Sequence, residues 1–329
     1  PEGLFVYHYI NDEFVFVQII DYSERVVQIV LHDINSDGLM DMVLNGGVGH
    51  NTAVMLNQGN LAFVENQSLE GATHVLLVQV ANNLVLITSN PGGVRVYTHN
   101  GTQFTLLIAL ARNEVVRAAI AQMTTPGQYD LVLVSNDEVE VLLNLFGLDT
   151  STSVQLGQKA QARQKVQARM TTFESIKYQT QGVQSAILTD SDNDGISELV
   201  LVRDDKQAAQ NGEAVVILGV RENELVVLND FGFTPADDAV SDDFTDDTVQ
   251  DLLVSGTNGF KQLYVLNLLE PYGYEASGSA FVTPANTLSS VDLDGDGTKD
   301  IVVYNQAVSA VQAFIVSDTG VIGASSDLA

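Results

Sequence analysis

Four times along this chain a nine-residue acidic loop runs straight into an aliphatic strand, and that recurrence limits the fold more than any other feature. The first loop is Asp33-Ile34-Asn35-Ser36-Asp37-Gly38-Leu39-Met40-Asp41, entering Met42-Val43-Leu44. The second is Asp190-Ser191-Asp192-Asn193-Asp194-Gly195-Ile196-Ser197-Glu198, entering Leu199 to Val202. A third, Asp243-Phe244-Thr245-Asp246-Asp247-Thr248-Val249-Gln250-Asp251, precedes Leu252-Leu253-Val254. The fourth, Asp292-Leu293-Asp294-Gly295-Asp296-Gly297-Thr298-Lys299-Asp300, precedes Ile301 to Tyr304.

Two further units keep the strands and lose the acids. Gln122 to Asp130 retains the nine-residue length and the final Asp, but Met123-Thr124-Thr125-Pro126-Gly127 supplies almost no ligands. Val75 to Val80 and Leu84 to Ile87 are joined by a tight turn read at Asn82-Asn83, residues that tolerate left-handed backbone. Unit starts near 33, 81, 122, 190, 243 and 292 give a period of about 40 to 50 residues with one long interval. Each unit carries later strands as well: Ala53 to Leu56 and Leu61 to Val64 around Asn57-Gln58-Gly59-Asn60, and Val94 to Tyr97 and Phe104 to Ile108 around Asn100-Gly101. Val139 to Leu143, Val215 to Leu218 with Leu225 to Leu228, Gln262 to Leu266, and Val311 to Val316 continue the pattern.

Four short strands per unit at this period predict an all-β chain, a β-propeller of four-stranded antiparallel blades forming one domain over 1–329. Leu4 to Tyr9 and Phe14 to Ile20 read as the last two strands of a further blade, which makes seven blades the expectation and a six-bladed ring the alternative. The long interval is assigned to an insertion over 157–181, a helical or extended excursion rich in Ala, Gln, Lys and Arg. It holds Lys159, Arg163, Lys165, Arg169 and Lys177 against the single acid Glu174.

Composition excludes several function classes. With 42 acidic against 14 basic side chains the formal charge is −28, which repels a nucleic-acid backbone and attracts cations. No cysteine is present, so disulfides, thiolate zinc sites and cysteine nucleophiles are out. No apolar run approaches the roughly 20 residues of a membrane helix. The chain opens at Pro1 rather than Met, as a processed or truncated product would, so the want of a leader sets no address.

Calcium is a hard cation that takes about six to eight oxygen ligands, and alternate positions of a tight loop converge on one point. Positions one, three, five and nine are the side-chain donors, position seven gives its backbone carbonyl, and Gly at position six permits the bend. The candidate ligands are therefore Asp33, Asn35, Asp37, Leu39 and Asp41; Asp190, Asp192, Asp194, Ile196 and Glu198; Asp243, Thr245, Asp247, Val249 and Asp251; and Asp292, Asp294, Asp296, Thr298 and Asp300. The third set has Thr248 in place of the glycine. An EF-hand needs a Glu at position twelve with a helix beyond it, and here that position is Leu44, Leu201 or Val303 in strand sequence.

These loops and their strands resemble the FG-GAP and VCBS repeats of calcium-binding β-propellers, the family that includes the integrin α head, and Leu56-Asn57-Gln58-Gly59-Asn60 with Phe63 and Leu69 is similar to the VCBS style of later strands. The resemblance implies calcium in rim loops between the first two strands of a blade, and a role in adhesion or assembly. It departs from the family in having no Gly-Ala-Pro tripeptide and in two units without ligands.

The leading expectation is a non-enzymatic, calcium-stabilised recognition or scaffold module outside the cytosol, meeting a protein or glycan partner. The alternative is a propeller-fold polysaccharide lyase or hydrolase that uses calcium to hold an acidic sugar. His8, His32, His50, His74 and His99 show no metal-ligand spacing, and Gly46-Gly47-Val48-Gly49 lacks the helix and Lys of a phosphate loop. A third reading makes the basic excursion a docking arm for an acidic partner. Asn66-Gln67-Ser68 and Asn100-Gly101-Thr102 are acceptor sequons for glycan in a eukaryotic secretory setting.

Overall fold

The computed structural model describes residues 3–10, 13–22, 24–112, 115–144, 174–203, 214–231, 236–257, 261–270, 273–281, 287–305 and 310–328. Among these residues every regular element is a β-strand. Strands β1 (Leu4–Ile10) and β2 (Glu13–Ile20) form a two-stranded sheet. Six four-stranded antiparallel sheets follow. The first comprises β3 (Gln28–His32), β4 (Asp41–Asn45), β5 (Asn51–Asn57) and β6 (Phe63–Glu70); the second, β7 (His74–Val80), β8 (Asn83–Asn90), β9 (Gly93–His99) and β10 (Phe104–Ala111). The third comprises β11 (Val115–Ala121), β12 (Asp130–Ser135), β13 (Glu138–Leu142) and β14 (Ser175–Gln179); the fourth, β15 (Val183–Thr189), β16 (Glu198–Arg203), β17 (Val215–Arg221) and β18 (Glu224–Phe231). The fifth comprises β19 (Ala236–Asp242), β20 (Asp251–Thr257), β21 (Lys261–Glu270) and β22 (Gly273–Phe281); the sixth, β23 (Thr287–Val291), β24 (Asp300–Asn305), β25 (Ala310–Val316) and β26 (Ile322–Leu328).

Each sheet is a simple meander, and the sheets are arranged as a propeller. The second strand of a blade is buried on both faces: Met42 to Leu44, Leu131 to Val134, Leu199 to Val202 and Leu252 to Val254 are all in the core. Their continuous aliphatic runs follow from that two-sided burial. One apolar cluster fills each space between neighbouring sheets. Val43, Val54, Val75, Leu86 and Phe104 join the first two. Val85, Val96, Ile120 and Leu133 join the second and third, and Val132, Val141, Leu199 and Leu218 the third and fourth. Val200, Ile217 and Leu252 seal the next space, and Phe244, Leu253, Ile301 and Phe314 the last of these. The β1–β2 hairpin packs Leu4 and Ile20 against Met42, Leu44, Ala53 and Met55 of the first sheet, while β2 lies beside β26.

Polar clamps add register to this greasy packing. The Gln28 side-chain amide donates to the Val75 carbonyl (2.7 Å) and accepts from the Val75 amide (2.8 Å), tying β3 to β7. Gln67 and Phe104 repeat that two-way bond between β6 and β10. Arg117 donates to the Ala186 carbonyl (3.0 Å), and Asp238 accepts from Ser185 Oγ (2.7 Å) and from the Leu288 amide (3.2 Å). Backbone groups on the edge strands of the sheets are satisfied by side chains of neighbouring blades in this way.

Three details differ from the sequence reading. The β7–β8 turn is Ala81-Asn82, with Val80 opposite Asn83 and Ala81 at φ +50°, so the left-handed position falls on alanine and not on an asparagine. Leu61 is a turn residue at φ +56°, and β6 begins at Phe63. The insertion assigned to 157–181 extends too far: Ser175–Gln179 is β14, whose residues pair with β13 and complete the third sheet. Alternating exposure in Ser-Ile-Lys-Tyr-Gln marks an outer strand, a signal hidden by the basic composition around it. Lys159, Arg163, Lys165 and Arg169 lie outside the described residues.

Candidate metal centre

All the acidic loops join the first strand of a blade to its second, so they gather at one end of the propeller. Their local conformation is shared. Position one accepts at least two backbone amides: Asp33 from Asp37 and Gly38, Asp190 from Asp194 and Gly195, Asp243 from Thr245, Asp247 and Thr248, Asp292 from Gly295 and Gly297. Position five accepts the amide of position seven in each loop, from Leu39, Ile196, Val249 and Thr298 at 2.7 to 2.9 Å. Short carboxylate side chains bond their own backbone two to five residues on, which is why Asp at alternate positions curls the chain tightly.

Two positions turn left-handed. Position six is Gly38 (φ +86°), Gly195 (φ +82°) and Gly297 (φ +100°), as expected, and position four is Ser36, Asn193, Asp246 and Gly295, which the sequence reading passed over. The third loop follows the same path with Thr248 at φ +68°. A β-branched residue is strained there, on the order of 1–3 kcal/mol.

Position nine does something different. Asp41, Asp251 and Asp300 are fully buried, and Glu198 nearly so. One oxygen accepts the amide of position two: Ile34 to Asp41, Ser191 to Glu198, Phe244 to Asp251 and Leu293 to Asp300. The other oxygen of Asp41 accepts from Asn57, and that of Asp300 from Val316, both at the far end of the third strand. The ligand-poor loop keeps this device intact: Asp130 accepts from Met123 and from Asn144, and Gln122 stands in for the first Asp by accepting from Gly127. Its final Asp was the sequence signal for a staple that survives without ligands.

Carboxylate oxygens converge in two places among the described residues. Asp190, Asp192 and Asp194 bring one oxygen each within 4.8 Å of one another, as do Asp292, Asp294 and Asp300. The first and third loops do not bring three carboxylates together in this way; in the first, the Asn35 amide donates to Asp37 (2.9 Å), and in the third, Thr245 Oγ donates to Asp251 (3.0 Å). Burial raises the pKa of Glu198, opposed by the Ser191 hydrogen bonds and reinforced by Asp192 and Asp190. Asp300 is raised by burial too, with Asp294 and Asp296 adding repulsion. A hard divalent cation fits both clusters, since they offer only oxygen and an excess of negative charge.

Neighbouring loops also hold one another. The Ser197 amide donates to the Gln122 carbonyl (2.8 Å), and Gln250 accepts from Asp190 N (3.1 Å) and Thr189 Oγ1 (3.0 Å). The rim is thus a linked series of loops and not a set of independent turns. Lys177, expected to meet a partner, instead donates to Glu138 (2.7 Å) on the adjacent strand, and that bond holds the Glu138 carboxyl below its usual range. Arg112 and Lys177 share Glu140 in the same blade.

No protein-family model matches the sequence, and no curated protein matches it. Solved structures do. The chain is similar to a lectin from Agrocybe aegerita whose structure concerns recognition of non-reducing terminal N-acetylglucosamine, with a TM-score of 0.55, 14% identity, and coverage of 93% of this chain and 81% of that one. It is also similar to a Bacteroides fragilis protein described as a candidate 6-phosphogluconolactonase, with a TM-score of 0.61, 10% identity and coverage of 97% and 86%. A Bacteroides uniformis protein of the same description gives 0.56, 8%, and 92% and 87%. At these identities the likeness carries the fold alone.

Proposed function

We propose that this chain is a non-enzymatic, calcium-stabilised propeller of the FG-GAP and VCBS kind, working outside the cytosol as a recognition or assembly module for a protein or glycan. The observation that carries the proposal is the single loop geometry repeated in four blades, with two all-oxygen clusters already converged. Asp190, Asp192 and Asp194 would hold one ion and Asp292, Asp294 and Asp300 a second; the ion would neutralise clusters that otherwise repel. The first and third loops share the path, and a modest turn of Asn35 or Thr245 would complete them. Extracellular calcium near millimolar suits sites of this modest kind.

The propeller has seven places in this reading, six filled by four-stranded blades and one by the β1–β2 hairpin. Recognition is favoured over catalysis because the best carboxylates fold the loops and suit a cation, and among the described residues no histidine joins the two clusters. A glycan is one natural partner class, in keeping with the lectin among the structural neighbours. Thermal melting with calcium and with chelator tests the metal. Saturating two sites about 100-fold stabilises by roughly 5 kcal/mol, or a melting shift of about 10 °C. An unchanged midpoint removes calcium from the account. Screening uronic-acid polymers for turnover tests the enzyme alternative, which any sustained product formation would restore.

A further inference from the structure

A belt of polar side chains crosses the inner strands at the end away from the acidic loops, and one of its links is broken. The first strands of successive sheets neighbour one another in order, β3 with β7, β7 with β11, β11 with β15, β15 with β19 and β19 with β23, and so line the axis. On them Gln28, Arg117, Ser185 and Asp238 each stand five residues before the first position of the loop that follows. Each of these reaches the next sheet. Gln28 bonds Val75, Arg117 donates to the Ala186 carbonyl, Ser185 donates to Asp238, and Asp238 accepts from the Leu288 amide. Val75, Ala186 and Leu288 directly follow His74, Ser185 and Thr287 in sequence, so the matching place in the second sheet belongs to His74.

His74 does not make the link to the third sheet. Among the described residues its ring has no hydrogen-bond partner. Ser89 of β8 sits opposite His74, so the two side chains share the face that packs on the third sheet. Ser89 is 1% exposed, and its hydroxyl has no partner either. Buried polar groups are almost always bonded, so two unpaired ones on one face need an oxygen from outside the chain.

Arg117 stands on the neighbouring strand. A bulge at Val116 turns β11 over, so that Val115 packs with the second sheet while Arg117, two residues on, bonds the fourth. Strands β15 and β19 carry the same bulge just before Ser185 and Asp238, whereas β3 and β7 pair without a shift. Arg117 is the only lysine or arginine in the six first strands. Its side chain is 31% exposed, and its Asp238 neighbour lies 4.0 Å away, beyond hydrogen-bond reach. Both oxygens of Asp238 already accept, from Ser185 and from Leu288. Among the described residues the guanidinium therefore spends one N–H, on Ala186, and keeps the rest of its fork unpaired. Burial, and after it the Arg117 charge, keeps the His74 ring neutral.

We propose that the axial site between β7 and β11 binds the carboxylate of a small acid or an acidic sugar, with Arg117 as its anchor and His74 and Ser89 as flanking donors. The site offers a guanidinium fork, an imidazole N–H and a hydroxyl, and a carboxylate accepts from all three. The planar fork also meets its two oxygens in parallel. A neutral sugar fits less well, because its hydroxyls must donate as well and the nearby acceptor Asp238 is engaged on both oxygens. The inference goes beyond the calcium reading and does not depend on it, since the acidic loops lie at the other end of these strands.

The test titrates the full 329-residue chain in calcium with glucuronate, with a hyaluronan tetrasaccharide that carries the same carboxylate, and with glucose as the neutral control, following the His74 ring resonances by NMR. Saturable one-to-one binding of glucuronate and none of glucose is expected, weakened on the order of tenfold by Arg117→Gln and roughly threefold by Ser89→Ala. Tighter binding of the tetrasaccharide assigns the site to an acidic glycan, and its exclusion to a free acid. Glucose binding as well as glucuronate, or equal affinity in both variants and the wild type, overturns the proposal. His74 resonances that stay still in the wild-type protein overturn it too, even where a variant fails to fold. Binding that chelator abolishes and Arg117→Gln leaves intact places the acid on the calcium loops, against the proposal. So does a glucuronate-soaked crystal with only a water bridging His74 and Ser89.

Discussion

The loop at Gln122–Asp130 and the loop at Asp292–Asp300 share a frame and differ in chemistry, the left-handed position four of the second, Gly295, having no counterpart at Thr125. Both place a left-handed glycine at position six, both have position one accept that glycine's amide, and both bury a final Asp that accepts the amide of position two and a second amide at or just past the end of the third strand. Only the second converges three carboxylates. The difference separates two jobs that the sequence overlays on one motif. Positions six and nine build the blade, and the carboxylates at positions one and three, joined by Asp194 at position five in one loop and by Asp300 at position nine in the other, decide whether the finished turn can hold a cation.

The largest effect should come from the staple. Asp130→Ala leaves the Met123 and Asn144 amides without their acceptor, at a cost of about 3 kcal/mol, and urea denaturation should give the same loss with calcium and with chelator. A loss seen only in calcium would erase the distinction between the two loops.

A pH experiment comes next, because acid also strips calcium and the two effects must be told apart. Burial, with help from Arg117, lowers the His74 pKa from 6.5 to about 4. The folded state therefore favours the neutral ring. That contribution is fully present above pH 6.5 and is lost as the pH falls toward 4. Discounted for partial exposure, it is on the order of 1–3 kcal/mol. In chelator, where the loops carry no ion, His74→Gln should flatten the fall in stability across that window. An unaltered slope would assign the acid response elsewhere.

Asp192→Asn should remove roughly 1–2 kcal/mol of the calcium-dependent increment while leaving the stability in chelator equal or slightly raised, since a repelling charge is gone. Calorimetry in both buffers reads it directly. The smallest effect is a gain: Thr248→Gly relieves a left-handed threonine and should stabilise by up to about 1 kcal/mol. A loss there would mean that the Thr248 side chain makes a contact worth more than its strain.

The acidic periodicity located four of the six four-stranded blades and the strand pattern the other two, because strands buried on both faces must be aliphatic and the turns between them must be polar. Ligand spacing likewise put Asp190, Asp192 and Asp194 together. Other features were hidden for definite reasons. Strand β14 is half exposed and carries Lys177, so composition marked it as an excursion. Position nine reads only as one more ligand, yet the two oxygens of Asp41, Asp130 and Asp300 are shared with backbone amides far apart in sequence, and Asp300 joins a carboxylate cluster as well. The left-handed position four falls on Ser, Asn, Asp and Gly in turn and has no single letter to find. The clamp from Gln28 to Val75 spans an interval that no local pattern encodes.

The central claim is that these rim loops hold calcium. Titration calorimetry of calcium into chelator-stripped protein reads it most directly: at least two binding events are predicted, one weakened about tenfold in Asp192→Asn and another in Asp294→Asn. Heat no greater than dilution, with no calcium retained after dialysis, would contradict it.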